Sequence, residues 1–341
     1  MNRMKYWLLL ALMVISRSVS AQQYHDAAAF DAYGNVKWIL TDMGLLYFNE
    51  DGRLDKSKSI ALSDYEKYQI ERDAAGYVKK ITTDFETQLF AYDANHKLSK
   101  KTVRGGNNYT TVYEREGNSD YQTETTRVLS GRQENTAIKY YCHKAGDNWI
   151  YKEFCEGSDM KNEKRVVGYW FDQTNYAGDA AKNISVFTIL DNPGLLHFDI
   201  FKYKTKDLKK MLQDKGVNVK SSMGSLDFKG YDKTYHGMTL SPTIFSVSLK
   251  EEPYLYQCNV MVKILKTNMV YTMSLLVEEL LAKNVPLKVV AKYGGSAVRD
   301  KGYGVAFMYN GRPCRIVTND DYTSTNWIEI KMYKSDHYAK W

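Results

Sequence analysis

Arg72-Asp73-Ala74-Ala75-Gly76-Tyr77-Val78 and Tyr92-Asp93-Ala94-Asn95-His96-Lys97-Leu98 decide the fold of the first half of this chain. Each places an Asp three residues before a Gly or His and runs into an apolar residue. An Asx side chain can hydrogen-bond the backbone two residues on, and Gly, or less readily His, tolerates positive φ. The unit therefore reads as the corner of a β-hairpin. Upstream copies stand at Phe30-Asp31-Ala32-Tyr33-Gly34-Asn35-Val36 and Phe48-Asn49-Glu50-Asp51-Gly52-Arg53-Leu54, and a degenerate fifth at Tyr113-Glu114-Arg115-Glu116-Gly117.

The steps between copies are 18 (Asp31 to Asn49), 24 (Asn49 to Asp73), 20 (Asp73 to Asp93) and 21 (Asp93 to Glu114). A period near 20 holds two strands and two turns and falls short of the roughly 33–34 residues of helical repeats. Between corners the residues alternate, as in Tyr77-Val78-Lys79-Lys80-Ile81-Thr82-Thr83 and Thr87-Gln88-Leu89-Phe90-Ala91-Tyr92. Hairpins of this kind join into a meandering antiparallel sheet.

The unit resembles the YD repeats of Rhs-type and related bacterial exported proteins, in which Tyr-Asp-x-x-Gly-x-Leu recurs at a similar spacing. The resemblance covers residues 30–118 and departs at two places: Arg72 stands where the aromatic belongs, and His96 takes the Gly position. About five copies are present, whereas the family's toxin-enclosing shells use many more. What the resemblance implies is strand–turn–strand architecture and an exported context, not a toxin role.

The first residues carry the second functional signal. Asn2-Arg3-Met4-Lys5 is basic, Tyr6 to Ile15 is an apolar run of ten, and Val19 and Ala21 fit the −3 and −1 positions of a cleavage site. Ten apolar residues fall short of the roughly 20 that span a bilayer and match the core of a secretory signal. A signal peptide over 1–21 is expected, with cleavage between Ala21 and Gln22 and a periplasmic or secreted product. No second long apolar run follows, so no transmembrane segment is expected in the mature chain. Loss of Arg3, Lys5 and Arg17 lowers the formal charge from +7 to +4. Basic and acidic residues are interleaved, which disfavours a nucleic-acid partner; the densest basic stretch, Lys202, Lys204, Lys206, Lys209 and Lys210, reads as a solvated edge and helix face.

About 320 mature residues suggest two domains: a hairpin-repeat region over 22–190 and an α+β domain over 195–341, with Asp191-Asn192-Pro193-Gly194 as the boundary. Before the boundary, Thr136–Cys142 and Trp149–Cys155 read as strands around Ala145-Gly146-Asp147-Asn148, which sets Cys142 opposite Tyr151. Beyond it, His197–Tyr203 reads as an alternating strand, followed by a short helix with Thr205 as cap, Leu208, Met211 and Leu212 on one face, and Gly216 as stop. Further strands are expected over Ser225–Lys229, Ile244–Leu249, Tyr256–Ile264 and Trp327–Met332. Met273, Leu276, Val277, Leu280 and Leu281 form the stripe of a second helix that leaves Glu278, Glu279 and Lys283 outward. Asn310-Gly311 marks a type I′ hairpin pairing Phe307 with Cys314 and Val305 with Ile316. The fold class is mainly β: an N-terminal antiparallel hairpin-repeat sheet plus a C-terminal α+β domain with two helices on an antiparallel sheet.

Four cysteines, Cys142, Cys155, Cys258 and Cys314, allow three pairings that sequence cannot separate, and Cys258 with Cys314, both on inward faces, is the best placed. No metal-ligand spacing, nucleophile elbow or phosphate-cradling loop occurs, so no catalytic residue, metal site or cofactor is assigned, and the ligand-binding residues stay unknown. Glu278-Glu279 and Asp320-Asp321 are adjacent acids, unlike a glycosidase pair set about 5–9.5 Å apart. Asn49-Glu50-Asp51-Gly52 and Asn319-Asp320-Asp321 offer oxygens without a calcium loop. With 28 tyrosines and 6 tryptophans, the expectation is an exported binding or cell-envelope structural protein whose partner is a protein or glycan of the envelope. The alternatives are an exported hydrolase with an unmarked C-terminal site and a small YD-repeat-like effector.

Overall fold

The computed structural model describes residues 23–59, 68–105, 108–116, 120–129, 132–170, 185–191, 198–222, 225–228, 233–235, 238–246, 254–264, 269–292, 302–319, 326–337 and 339. The expected leader over 1–21, the fifth turn copy from Gly117, Asn192-Pro193-Gly194 and Asp320-Asp321 lie outside them. The protein is mainly β, and its described residues form a large antiparallel sheet of eleven strands and a second sheet of nine. Two compact units are present: Met1–Lys37, Leu46–Glu114 and Gln122–Ala137 in the first, and Trp38–Leu45, Arg115–Tyr121 and Ile138–Trp341 in the second.

After β1 (Val36–Thr41) and β2 (Gly44–Tyr47), the first unit is built on successive hairpins of β3 (Gln69–Arg72), β4 (Val78–Thr82), β5 (Glu86–Tyr92), β6 (Leu98–Gly105) and β7 (Tyr109–Glu116). Each pairs antiparallel with the next. Val78, Ile81, Phe90 and Leu98 are buried together with Ala29, and Phe30, Tyr68, Ile70, Tyr92 and Tyr113 pack around them. Ala29 comes from a 3-10 helix over Asp26–Phe30, ended by Asp31 at φ 55. The first turn copy therefore follows a helical turn and not a strand, since four consecutive buried residues, Asp26 to Ala29, cannot lie on an alternating strand.

Beyond β8 (Asp120–Leu129), β9 (Arg132–Ala145) pairs with β10 (Asn148–Glu156), and β10 with β11 (Asp159–Tyr169). The β9–β10 register begins as expected, Asn148 opposite Ala145, and then slips by one between Trp149 and Tyr151. Cys142 consequently faces Lys152 instead of Tyr151. A bulge inserts an unpaired residue in this way, and Ile150, the residue skipped, is buried.

In the second unit, α1 (Val186–Asp191), α2 (Thr205–Asp214) and α3 (Met269–Ala282) accompany the nine-stranded sheet. Its strands are β12 (Val219–Ser222), β13 (Ser225–Phe228), β14 (Lys233–Tyr235), β15 (Met238–Ser246), β16 (Leu255–Ile264), β17 (Lys288–Lys292), β18 (Gly302–Tyr309), β19 (Arg312–Asn319) and β20 (Asn326–Tyr333). The order is β12-β13-β15-β16-β20-β19-β18-β17, with β14 beside β15. Helix α2 buries Leu208 and Leu212, and Gly216 follows at φ 76. Helix α3 buries Met273, Leu276, Val277 and Leu280, and Asn284 follows it at φ 53. The Asn310-Gly311 corner takes positive φ at both residues and sets Phe307 against Cys314 and Val305 against Ile316. The strand expected over His197–Tyr203 is not formed. His197 lies outside the described residues, and Ile200–Lys202 is a 3-10 turn whose first amides are capped by Asp199, Oδ1 accepting from Phe201 N at 3.2 Å. Ile200 and Phe201 are both buried, which consecutive residues of a one-faced strand are not.

Candidate functional site

Three of the repeated corners close identically. The N–H of Asn49, Asp73 and Asp93 donates to the carbonyl four residues on (Arg53, 2.7 Å; Tyr77, 2.8 Å; Lys97, 2.8 Å). The N–H of Gly52, Gly76 and His96 donates back to the first residue at 2.8, 3.1 and 2.9 Å. That closure requires left-handed backbone at the fourth position, and φ there is +86°, +88° and +59°. In the second and third corners the Asp carboxylate fixes the bend. Asp73 Oδ1 accepts from Ala75 N and Tyr77 N, both at 2.9 Å, and Asp93 Oδ1 accepts from Asn95 N (2.8 Å) and Lys97 N (2.9 Å).

A strap of four residues, Gln23 to Asp26, crosses the first two corners. Tyr24 N donates to Asp51 O (2.8 Å), His25 N to Gly76 O (3.1 Å) and Asp26 N to Gly52 O (3.3 Å). The approach is closer than a side chain allows: a Cβ on Gly52 would lie 1.9 Å from Tyr24 O, and one on Gly76 2.4 Å from Gln23 O. Glycine is thus required twice at these corners, by φ and by contact. The strap makes no backbone hydrogen bond to the Asp93–His96 corner among those of the described residues, and there a histidine is accommodated.

Asp26 anchors the strap. Its carboxylate is fully buried and takes Arg72 Nε on Oδ1 (2.7 Å), Arg72 Nη2 on Oδ2 (2.6 Å) and Leu54 N on Oδ2 (2.8 Å). Such a bidentate, charge-assisted pair is directional as well as strong. The Arg72 and Arg53 guanidiniums lie 5.1 and 5.0 Å from the Tyr24 ring centroid, within cation–π range. Arg72 therefore stands where other copies carry Phe48 or Tyr92 because it binds the strap.

Beside these corners lies a recess of about 240 Å³ lined by Asp73, Ala75, Tyr77, Lys79, Phe90, Ala91, Tyr92, Asp93 and His96. Tyr77 is its hub. Its ring stacks on His25 (4.4 Å, 23°) and on His96 (4.9 Å, 11°) and tilts against Tyr92 (5.1 Å). Tyr92 donates its hydroxyl to Val78 O at 2.9 Å, which bridges β4 and β5. Burial pushes the Tyr92 and Tyr77 phenols up, so both remain neutral donors at physiological pH. Burial, followed by the charge on His96, holds His25 below its ordinary value and favours the neutral imidazole. The lining combines carboxylate acceptors, phenol and imidazole groups, and one cation, Lys79, which is 57% exposed.

Residues singled out in the sequence take other roles. Glu278 and Glu279 do not face solvent as a free charged pair: Glu278 Oε1 accepts from Trp38 Nε1 (3.1 Å), and Glu279 takes Ser185 Oγ and Val186 N, both at 2.7 Å, as a cap for α1. Asp51 is held by Arg53 (Nε 2.7 Å, Nη2 2.6 Å). Among the described residues no three His, Cys, Asp or Glu side chains group to hold a metal, and no helix is long and apolar enough to cross a membrane.

None of the four cysteines is in a disulfide. Cys258 and Cys314 are both buried, as their inward faces require, yet each is paired with Met332 on the strand between them. Two inter-strand spacings, about 9–10 Å, separate their Cα atoms, beyond the roughly 7 Å a disulfide spans. The bridge favoured by the sequence is excluded by that intervening strand. In the second unit, the rings of Trp149, Tyr140 and Tyr121 surround Lys152 Nζ at 4.3, 4.8 and 5.8 Å, which commits these aromatics to an internal contact.

The strap was missed by sequence reading, which assigns no element to the residues between the expected cleavage site and Phe30. The signal that could have found it is an Arg in the aromatic position of a corner whose Gly is kept, together with an acid at residue 26 to receive it. Comparison of the chain with protein-family models finds no match, and neither does comparison with curated proteins.

Proposed function

We propose that this is an exported, non-enzymatic binding protein of the cell envelope, and that the recess beside the hairpin corners is where it takes its ligand. The observation that carries the reading is the Tyr77 hub: a stack of ring side chains fixed by backbone and carboxylate hydrogen bonds, bordered by Asp73, Asp93 and Lys79. Rigid corners hold these groups in place without a conformational change, which lowers the cost of binding. A volume of about 240 Å³ is below the roughly 300–1,000 Å³ of sites for larger organic ligands and suits one ring of a glycan. Acceptor carboxylates, phenols and an ammonium match the hydroxyl and amide groups of an envelope sugar. The basic n-region and ten-residue apolar run at the N-terminus support delivery of the chain outside the cytoplasm.

The test is capture. Immobilised protein is incubated with soluble cell-wall glycan fragments, and retained material is compared with that on Lys79→Glu and His96→Asn variants, whose changes keep the corner geometry. Retention by the wild type that falls at least severalfold in both variants supports the reading. Equal retention on all three forms, or none on the wild type, contradicts it.

A further inference from the structure

The strap carries one imidazole, that of His25, a side chain whose charge can change near neutral pH. His25 sits in the strap itself, its N–H bound to Gly76 O and its ring on Tyr77. On the next corner, His96 occupies the left-handed position with its ring on the same Tyr77. One aromatic ring thus ties the strap to the β3–β4 corner and reaches the β5–β6 corner.

The charged groups around His25 are Asp26 in its own segment, Asp73 in the β3–β4 corner and His96 in the β5–β6 corner. Arg72 lies on Asp26, and Lys79 and Asp93 also line the recess. Asp26 and Asp73 favour a charged ring, but each is already engaged: Asp26 in the bidentate pair with Arg72 and the Leu54 amide, Asp73 with two backbone amides. Burial of the ring and the second imidazole outweigh them, so a proton on His25 is disfavoured while the strap is closed. In the open strap the ring is solvated and takes up its proton at an ordinary pKa of about 6.5.

We propose that His25, Tyr77 and His96 form a proton-operated latch, which holds the Gln23–Asp26 strap on the corners at neutral pH and loosens it in mild acid. The sign follows from linkage: the open form binds more protons than the closed form below about pH 6.5, so the closed form loses ground as pH falls through that value. The opposing force is attraction between an imidazolium and the Tyr77 face. Were it to dominate, acid would tighten the strap.

Hydrogen exchange on the full chain tests this, with protection factors of the Tyr24, His25 and Asp26 amides measured at pH 7.5 and 5.5 and normalised to intrinsic rates. Amides of Val78–Thr82 serve as the internal reference, and circular dichroism at pH 7.5 verifies the fold of each variant. With no proton on the closed form, one pH unit below 6.5 gives at most about a tenfold loss of protection. The expected result is a loss of severalfold to tenfold in the strap with the reference strand unchanged, and none in His25→Phe, which keeps a stacking ring and cannot titrate. His96→Asn, compatible with positive φ, is expected to reduce the loss. Unchanged or increased strap protection at pH 5.5 in the wild type overturns the proposal, as does an equal loss in His25→Phe.

Discussion

Two glycines with the same backbone angle separate the cost of conformation from the cost of contact. Gly34 and Gly52 both have φ +86°; a Cβ on Gly34 meets nothing within 4 Å, whereas one on Gly52 would lie 1.9 Å from Tyr24 O. Gly34→Ala therefore pays for left-handed backbone alone, about 1–2 kcal/mol. Gly52→Ala pays the same and in addition displaces the strap, with its three backbone hydrogen bonds from Tyr24, His25 and Asp26. At about 0.5–1.5 kcal/mol each, those bonds add about 1.5–4.5 kcal/mol, up to the free energy by which the closed strap is favoured over the open one. Urea unfolding of the two variants, with slopes compared to verify that the denatured states match, gives the difference directly. Gly52→Ala should be less stable than Gly34→Ala by at least about 1.5 kcal/mol. Equal losses would mean that the strap contributes nothing to the fold and that glycine is present at these corners for φ only.

Other outcomes follow from the same contacts. Asp26→Asn leaves the half-buried Arg72 guanidinium without its carboxylate and should cost about 3 kcal/mol in urea unfolding, with strap amides exchanging faster than those of β4. In Glu279→Ala, the Val186 amide and Ser185 hydroxyl lose their acceptor; a loss of about 1–3 kcal/mol is expected, read as a lower thermal midpoint. A thiol reagent added to the native protein should label exposed Cys155 rapidly and Cys258 and Cys314 only after unfolding, since both are buried and burial pushes the Cys314 thiol up to about 12. A reducing agent should leave the thermal midpoint unchanged.

The legible part of this fold is what local chemistry dictates. The corners that begin at Asn49, Asp73 and Asp93, the Asn310-Gly311 turn and the Met273–Leu280 stripe each carry their geometry in adjacent residues, and each forms as the sequence implies. What was not legible depends on partners distant in the chain. The His197–Tyr203 alternation was overridden because Asp199 caps the Ile200–Lys202 turn and binds Arg312 at 2.9 Å. Cys142 missed its expected partner through a bulge that no nearby residue announces. Cys258 and Cys314 were placed on the right faces, but only the order β16-β20-β19 reveals the strand between them. The candidate site shows the same division. Its corners were visible from residue types, while its hub depends on His25, 52 residues from Tyr77, and its anchor on Asp26, 46 residues from Arg72. The departures from the repeat, Arg72 and His96, turned out to be the residues that hold the strap and line the recess.

The claim on which the functional reading depends is that a ligand meets the hairpin corners at Tyr77. Amide and aromatic chemical-shift changes of the full chain, followed during titration with soluble cell-wall glycan fragments, test it most directly. The account predicts saturable shifts concentrated on Asp73, Tyr77, Lys79, Asp93 and His96. Saturable shifts confined to other parts of the chain, with these residues unmoved, would contradict it.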